Sequence, residues 1–227
     1  MYLDLNTSYK GKMNSVQFLN WLPTLLSGLK ITVLASLAGI ATSIIWGCIL
    51  ASLGTLNNKV VSWIVRIYTS VFRNTPLLVV MFFIFYGFPL IGVKISAVFC
   101  GIIAITLNEG AFVAEILRGS ISNVRKGEIE AAKSLGLSVF QVVKYITFPL
   151  AFRQSIPMLV GQSSIIIKDT SLFSMIMIID LTGAGSLYYA NYFSPASIWI
   201  VGLVYVALFL IYSLIGKRIE TALAVRR

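Results

Sequence analysis

Four ionisable side chains, Arg73, Glu109, Lys168 and Asp169, lie inside or at the edge of long apolar runs. In hydrocarbon such groups are expensive, and by default they face a bundle interior or a wet pathway. At 1.5 Å per helical residue, Arg73 falls roughly 15 Å into its run and Glu109 about 13 Å from Arg118. Lys168 and Asp169 stand at the far end of theirs. Two cations and two anions suit a small zwitterion, whose carboxylate needs a cation and whose ammonium needs an anion or a carbonyl. Asn108 precedes Glu109, and Gln162, Ser163 and Ser164 either line the same path or hydrogen-bond neighbouring helices. Purely structural roles compete with each of these. Lys168 can snorkel to an interface, Asp169 can cap a helical turn begun by Thr170 and Ser171, and Arg73 can pair with Glu109. Glu115 and Arg118, three residues apart, read as a stabilising pair. Catalysis is not indicated, because the chain has no histidine and shows no nucleophile–base pair. The expectation is a protein that is not an enzyme.

The elements that must hold these groups are membrane-spanning helices. Of 227 residues, 58% are hydrophobic and only 11% charged, with mean hydropathy +0.90. A soluble domain carries about 25% charged residues and has no way to hide this much apolar surface. Five stretches approach the roughly 20 residues needed to cross a bilayer: about 25–53, 63–88, 95–117, 152–167 and 198–215. Pro76, Pro157 and Gly161 interrupt them and are potential flex points. The segment 168–195, with Gly183, Gly185 and Pro195, reads as re-entrant or surface-lying. The expected fold is therefore all-α and integral to the membrane, with a single domain over 1–227.

Charge orients the chain. The 18 basic residues outnumber 8 acidic ones, but they lie between apolar runs and report orientation rather than nucleic-acid binding. Loops after the first, third and fifth spans collect Lys59, Arg118, Arg125, Lys126, Lys133, Lys144, Lys217, Arg218, Arg226 and Arg227. The opposite side holds Lys10, Lys12, Lys94, Lys30 and Lys168. The amino terminus is expected outside and the carboxyl terminus inside. A short external tail over about 1–22 lacks the pattern of a signal peptide, and Phe18, Leu19, Trp21 and Leu22 suggest an interfacial anchor. Cys48 and Cys100 each sit in an apolar run as packing residues, and no metal site is indicated.

The loop over about 118–149 is long and ordered in sequence. Glu128 and Glu130 come early in a helical stretch, where the dipole favours negative charge, and Glu130 can pair with Lys133. Ala131 and Ala132 leave room for close approach by another surface. Gly136 is placed to end the helix in a left-handed conformation. Ser138 and Gln141 form a capping box for a second helix, which Pro149 stops or kinks. Spacing alone leaves two readings open, a docking surface or a plain connector.

Glu130-Ala131-Ala132, Gly136, Ile146 and Pro149 resemble the EAA signature of ABC-importer permeases, with Phe148 where that pattern has leucine. Arg73-Asn74-Thr75-Pro76-Leu77-Leu78 resembles the RxTPLL segment of the polar amino acid permeases of the histidine/glutamine type. Ala114-Glu115-Ile116-Leu117-Arg118-Gly119 is similar to their AExxRG, and Lys168-Asp169-Thr170-Ser171-Leu172 to their KDTSL. Asn108-Glu109-Gly110 departs from the usual pattern before AE. The resemblance runs from about 25 to 220 and implies an ABC type I importer permease fold. In it, Glu130, Ala131, Ala132 and Gly136 form a cytoplasmic coupling helix set into an ATPase subunit. It further implies two such ATPase subunits, a second permease chain (identical or homologous), an extracytoplasmic amino-acid-binding protein, and a place among the lipids of a bacterial cytoplasmic membrane. The chain contains no GxxxxGK[ST] phosphate loop, so it is expected to bind no cofactor itself, ATP and Mg belonging to the partner ATPase. The competing reading is an ATP-independent secondary transporter or channel, against which the lack of a visible internal repeat counts.

Overall fold

The computed structural model describes Met13, residues 15–56 and residues 58–223. Among these residues the chain is helical and contains no strand. The helices are α1 (Ser15–Gly54), α2 (Lys59–Asn74), α3 (Leu77–Leu90), α4 (Ala97–Ser122), α5 (Lys126–Ser134), α6 (Val139–Val142), α7 (Phe148–Asp169), α8 (Leu181–Tyr192) and α9 (Ala196–Leu223). A π-helical turn, Val143–Thr147, joins α6 to α7, and a 3-10 segment, Thr170–Ile176, follows α7.

Among the described residues, α1, α4 and α9 are long and apolar enough to cross a membrane; α2 with α3 makes a fourth if the pair counts as one span. The run 63–88, expected as one span, is instead bent by 101° between α2 and α3. Thr75 adopts an extended backbone (φ −100°, ψ 127°), as the residue before a proline prefers, and Pro76 opens α3. The stretch 152–167 lies in α7, which stays helical through Pro157 but is too polar to pass as a span on its own. The expected external tail falls largely outside the described residues, and its last part belongs to α1. Trp21 is no interfacial anchor. It is buried, stacks near Tyr188 with ring centroids 5.0 Å apart, and donates its indole N–H to the Ala184 carbonyl at 2.9 Å.

α4 is the hub, packing on α1, α2, α3, α7 and the 3-10 segment. Its closest neighbour is α1, whose buried positions recur every three or four residues and are mostly small, among them Gly39, Ser43, Gly47 and Ala51. Small residues let two helix backbones approach where apolar lipid gives no hydrophobic push. A Cβ on Gly47 would collide with the Val113 side chain and lie 3.0 Å from the Ala114 amide nitrogen. One on Gly110 would lie 2.7 Å from the Trp46 ring. Polar rungs complete the contact. The Thr42 and Thr106 hydroxyls meet at 2.6 Å, and Trp46 donates to Tyr68, which donates to the Leu107 carbonyl, each at 2.8 Å. Each rung satisfies a polar group that hydrocarbon would leave unpaired.

The opposite half of α1 is held by Asp180, which is fully buried. Its carboxylate caps α8 by accepting from the Gly183 N–H at 2.8 Å and the Thr182 N–H at 3.2 Å, and also accepts from the Tyr205 hydroxyl at 3.2 Å. The neighbouring Leu181 N–H donates to the Thr32 hydroxyl of α1 at 3.1 Å. α8 and α9 are thus tied to α1 at one end of the molecule, while α5 and α6 protrude at the other. Cys48 and Cys100 are both free thiols, as packing residues would be.

Two stability measurements follow from this packing. Gly47→Ala must push α1 from α4 and should cost about 1–3 kcal/mol, read as a lower unfolding temperature of the detergent-purified protein. Gly202→Ala, which meets nothing within 4 Å, should leave that temperature unchanged. Asp180→Ala removes the α8 cap and should cost about 2 kcal/mol in the same assay.

Candidate functional site

The polar groups of α4 divide between two neighbours. Asn108 faces α2: its side-chain amide donates to the Phe72 carbonyl at 2.7 Å and the Thr75 carbonyl at 3.0 Å. The Phe72 carbonyl also accepts the Thr75 N–H at 3.3 Å, and the Thr75 carbonyl lies at the break before Pro76, so Asn108 secures the top of α2. Glu109, one residue on and about 100° around the helix, faces α7. The Gln162 side-chain amide donates to its carboxylate at 2.5 Å, and the Asp169 carboxyl faces the same group. Glu109 is 3% exposed. Glu109, Gln162 and Asp169 therefore form one acidic cluster between α4 and α7. All ion pairs among the described residues involve Glu115, so neither carboxylate of the cluster has a cation bound to it.

Arg73 does not join that cluster. Its guanidinium lies 3.6 Å from Glu115 and 5.3 Å over the Phe112 ring. The structural pairing considered for Arg73 and Glu109 is thus replaced by one with Glu115. The expected Glu115–Arg118 pair is present, with Arg118 donating twice through Nε and once through Nη2. Thr69 adds a hydroxyl bond to Glu115 at 3.1 Å. Lys168 turns the other way, its Nζ 5.4 Å over the Phe209 ring of α9. Ser163 is buried and returns its hydroxyl to the Leu159 carbonyl at 2.8 Å, an internal bond of α7. Asp169 stands at the start of the 3-10 segment but makes no side-chain capping bond. Its carboxyl group is left to face Glu109.

At the protruding end, α5 and α6 form a knuckle. Gly136 takes φ +80°, and the Leu137 N–H reaches back to the Ala132 carbonyl at 3.3 Å, closing α5 in the left-handed turn expected from its sequence. The Ser138–Gln141 capping box is complete. Pro149 does not stop the second helix. The π turn absorbs one extra residue, with the Phe148 N–H bonding the Val143 carbonyl, and the helix continues into α7. Glu130 and Ala131 are exposed, whereas Ala132 is buried where α5 packs on α6 and the π turn. Glu130 and Lys133 form no ion pair. The outer surface is made instead by Leu135, Val139 and Phe140, which are 80%, 73% and 72% exposed. Sequence reasoning passed over these three; their signal was an apolar cluster in a loop otherwise rich in charge. It also passed over Thr69, Phe112 and Asp180, whose roles depend on neighbours distant in the chain.

Comparison with known proteins agrees with this geometry. Residues 43–225 match the family described as the binding-protein-dependent transport system inner membrane component. The chain is 33% identical over 202 residues to the glutamine transport system permease protein GlnP of Escherichia coli (strain K12), covering 88% of this chain and 92% of that one. It is 33% identical over 207 residues to the arginine transport system permease protein ArtQ of Bacillus subtilis (strain 168), covering 89% and 93%. A crystal structure of an amino acid ABC transporter superposes with TM-score 0.85 at 27% identity, covering 93% of this chain and all of that one. The chain belongs to the family of inner-membrane components of binding-protein-dependent transport systems, and is the transmembrane subunit of an ABC importer.

Proposed function

We propose that this chain carries a polar amino acid across a bacterial cytoplasmic membrane, driven by ATP hydrolysed on two ATPase subunits docked at the α5–α6 knuckle. The observation that carries the reading is the knuckle itself. It is a helix pair joined by the left-handed Gly136 turn and the Ser138–Gln141 capping box, yet it leaves Leu135, Val139 and Phe140 in solvent. Clustered exposed apolar side chains on a folded surface mark a docking site. Glu130, Ala131 and Gly136 lie beside them, and Ala132 supports the turn from within. The knuckle carries Lys126, Lys133 and Lys144, which supports a cytoplasmic position, with the amino terminus outside and the carboxyl terminus inside.

The cargo's ammonium would sit between Glu109 and Asp169, positioned by Gln162, since two facing carboxylates gain most from a cation shared between them. Arg73, engaged by Glu115 on the α2 side of α4, lies apart from this ammonium site and would meet the carboxylate only as the cargo moves on. Ser163 and Lys168 have their own partners and serve packing. A second permease chain, identical or homologous, would complete the path, and an extracytoplasmic amino-acid-binding protein would load it from outside. Nucleotide binding would draw the paired knuckles together and reorient the helices, since cargo affinity alone cannot drive accumulation.

Phe140→Asp should leave the unfolding temperature of the permease unchanged, because the ring touches little of its own chain, yet abolish copurification of the ATPase subunit. Uptake of radiolabelled amino acid into proteoliposomes holding the whole importer should fall at least tenfold for Glu109→Gln, with ATPase copurification intact. Accumulation that persists in liposomes holding the permease without ATPase subunits would overturn the reading.

A further inference from the structure

We infer that α2 is the inner half of the translocation path, its cations Lys59, Arg66 and Arg73 forming a ladder that takes the cargo's carboxylate from the acidic cluster towards the cytosol. The inference rests on the transport reading above and adds to it a route and a residue, Arg66, not so far used. The three cations are spaced by seven residues. Seven residues make nearly two helical turns, so the side chains share a face, with rungs about 10 Å apart. Ser62 and Ser70 stand between the rungs on that face. The other face of α2 carries the exposed apolar stripe Val60, Ile64, Ile67 and Val71.

Space accompanies the charge. A cavity of about 320 Å³ is lined by Arg66, Ser70, Arg73, Asn74, Phe112 and Arg118 among others. A second, of about 310 Å³, is lined by Lys59, Ser62, Trp63 and Arg66 among others. Arg66 lines both, so the two cavities adjoin at its side chain along α2. Within them, Lys59, Arg66, Arg73 and Arg118 face a single carboxylate, Glu115, which is already engaged by Arg73 and Arg118. Arg66 and Lys59 have no anionic partner among the described residues. An excess of cations in a water-accessible groove between helices draws a mobile anion, and the carboxylate is the anionic group every amino acid carries.

Continuity selects cargo over a lipid phosphate as the occupant. Asn108 clamps the top of α2, and the next residue of α4 is Glu109 of the acidic cluster. The ladder therefore begins one residue of α4 away from the ammonium site, on the neighbouring face of that helix. A row of similar, spaced sites also suits passage, because each rung binds weakly enough to release.

The test uses the complete importer (permease, ATPase and binding protein) in proteoliposomes, with radiolabelled L-glutamine, L-arginine, L-lysine and L-histidine as probes. If the unaltered importer accumulates none of these with ATP, the transport reading fails and the ladder with it. If it accumulates one, Arg66→Gln should lower the maximal rate of that uptake about tenfold, the size expected for one charge-assisted contact. KM, set by the binding protein outside, should not change. Arg66→Lys, which keeps the charge, should retain most of the rate, as a purely packing role would not allow. Uptake by Arg66→Gln at the unaltered rate overturns the inference. So does an unaltered importer that drops to the Arg66→Gln rate when phosphatidylglycerol is replaced by phosphatidylcholine, because the groove then holds a lipid headgroup. Should Arg66→Gln fail to assemble, Lys59→Gln takes its place and is read in the same way.

Discussion

The close approach of α1 and α4 is the constraint on which the remaining geometry depends. With Gly47 against Val113 and Gly110 against Trp46, α4 can neither slide nor rotate without a collision. Its rotational setting decides what each polar residue sees. Asn108 and Glu109 are 100° apart on the helix, so fixing one towards α2 fixes the other towards α7. Glu115, seven residues and nearly two turns beyond Asn108, shares its face and falls beside Thr69 and Arg73 of α2. A looser contact would blur this sorting and let Arg73 reach either acid.

The second constraint is mechanical. α6, the π turn and α7 run without a break from Val139 to Asp169, so the knuckle and the acidic cluster share one rod. Gln162 and Asp169 lie on that rod some 30–40 Å from the knuckle, at 1.5 Å per residue. A proline at position 149 would ordinarily cost about 3 kcal/mol inside a helix. Inserting one residue as a π turn just before it keeps the axis continuous. On the proposed coupling, displacement of the knuckle would be conveyed along a single helix to the residues that face Glu109.

Much of this was legible in the sequence, and most of what was not depends on which helices lie together, the local Glu130–Lys133 pair that does not form being an exception. Caps, the left-handed Gly136, the Glu115–Arg118 pair and the membrane character all depend on residues near in sequence or on composition, and each is as expected. The Asp180 cap was within reach of the same reasoning, since an acid three residues before Gly183 is a recognisable helix start, but it lay in a segment read only as mixed. The break at Thr75 was half legible: Pro76 marked an interruption, but not the 101° bend, beside which Asn108 of α4 bonds the Phe72 and Thr75 carbonyls. The partner of Arg73 and the burial of Trp21 and Ala132 were not legible. Each depends on which helix lies alongside, and periodicity within one helix carries no information about its neighbour. The stretch 152–167 is helical within α7 as expected, its polar residues making it less apolar than α1, α4 and α9.

The division of charge bears on how such a path works. Had Arg73 paired with Glu109, both would be neutralised within the protein and neither would have reason to meet cargo. Glu115 prevents this by engaging Arg73, with Phe112 beneath the guanidinium. The acidic cluster keeps an amide donor from Gln162 but no cation in salt-bridge contact. An amide hydrogen bond steadies a carboxyl group without committing it to a fixed ion pair, so the proposed ammonium site stays open. On the proposed path a full salt bridge would have to break at every cycle, and breaking a buried pair costs about 3–5 kcal/mol. A cluster without a fixed ion pair would keep that cost out of the proposed transport cycle.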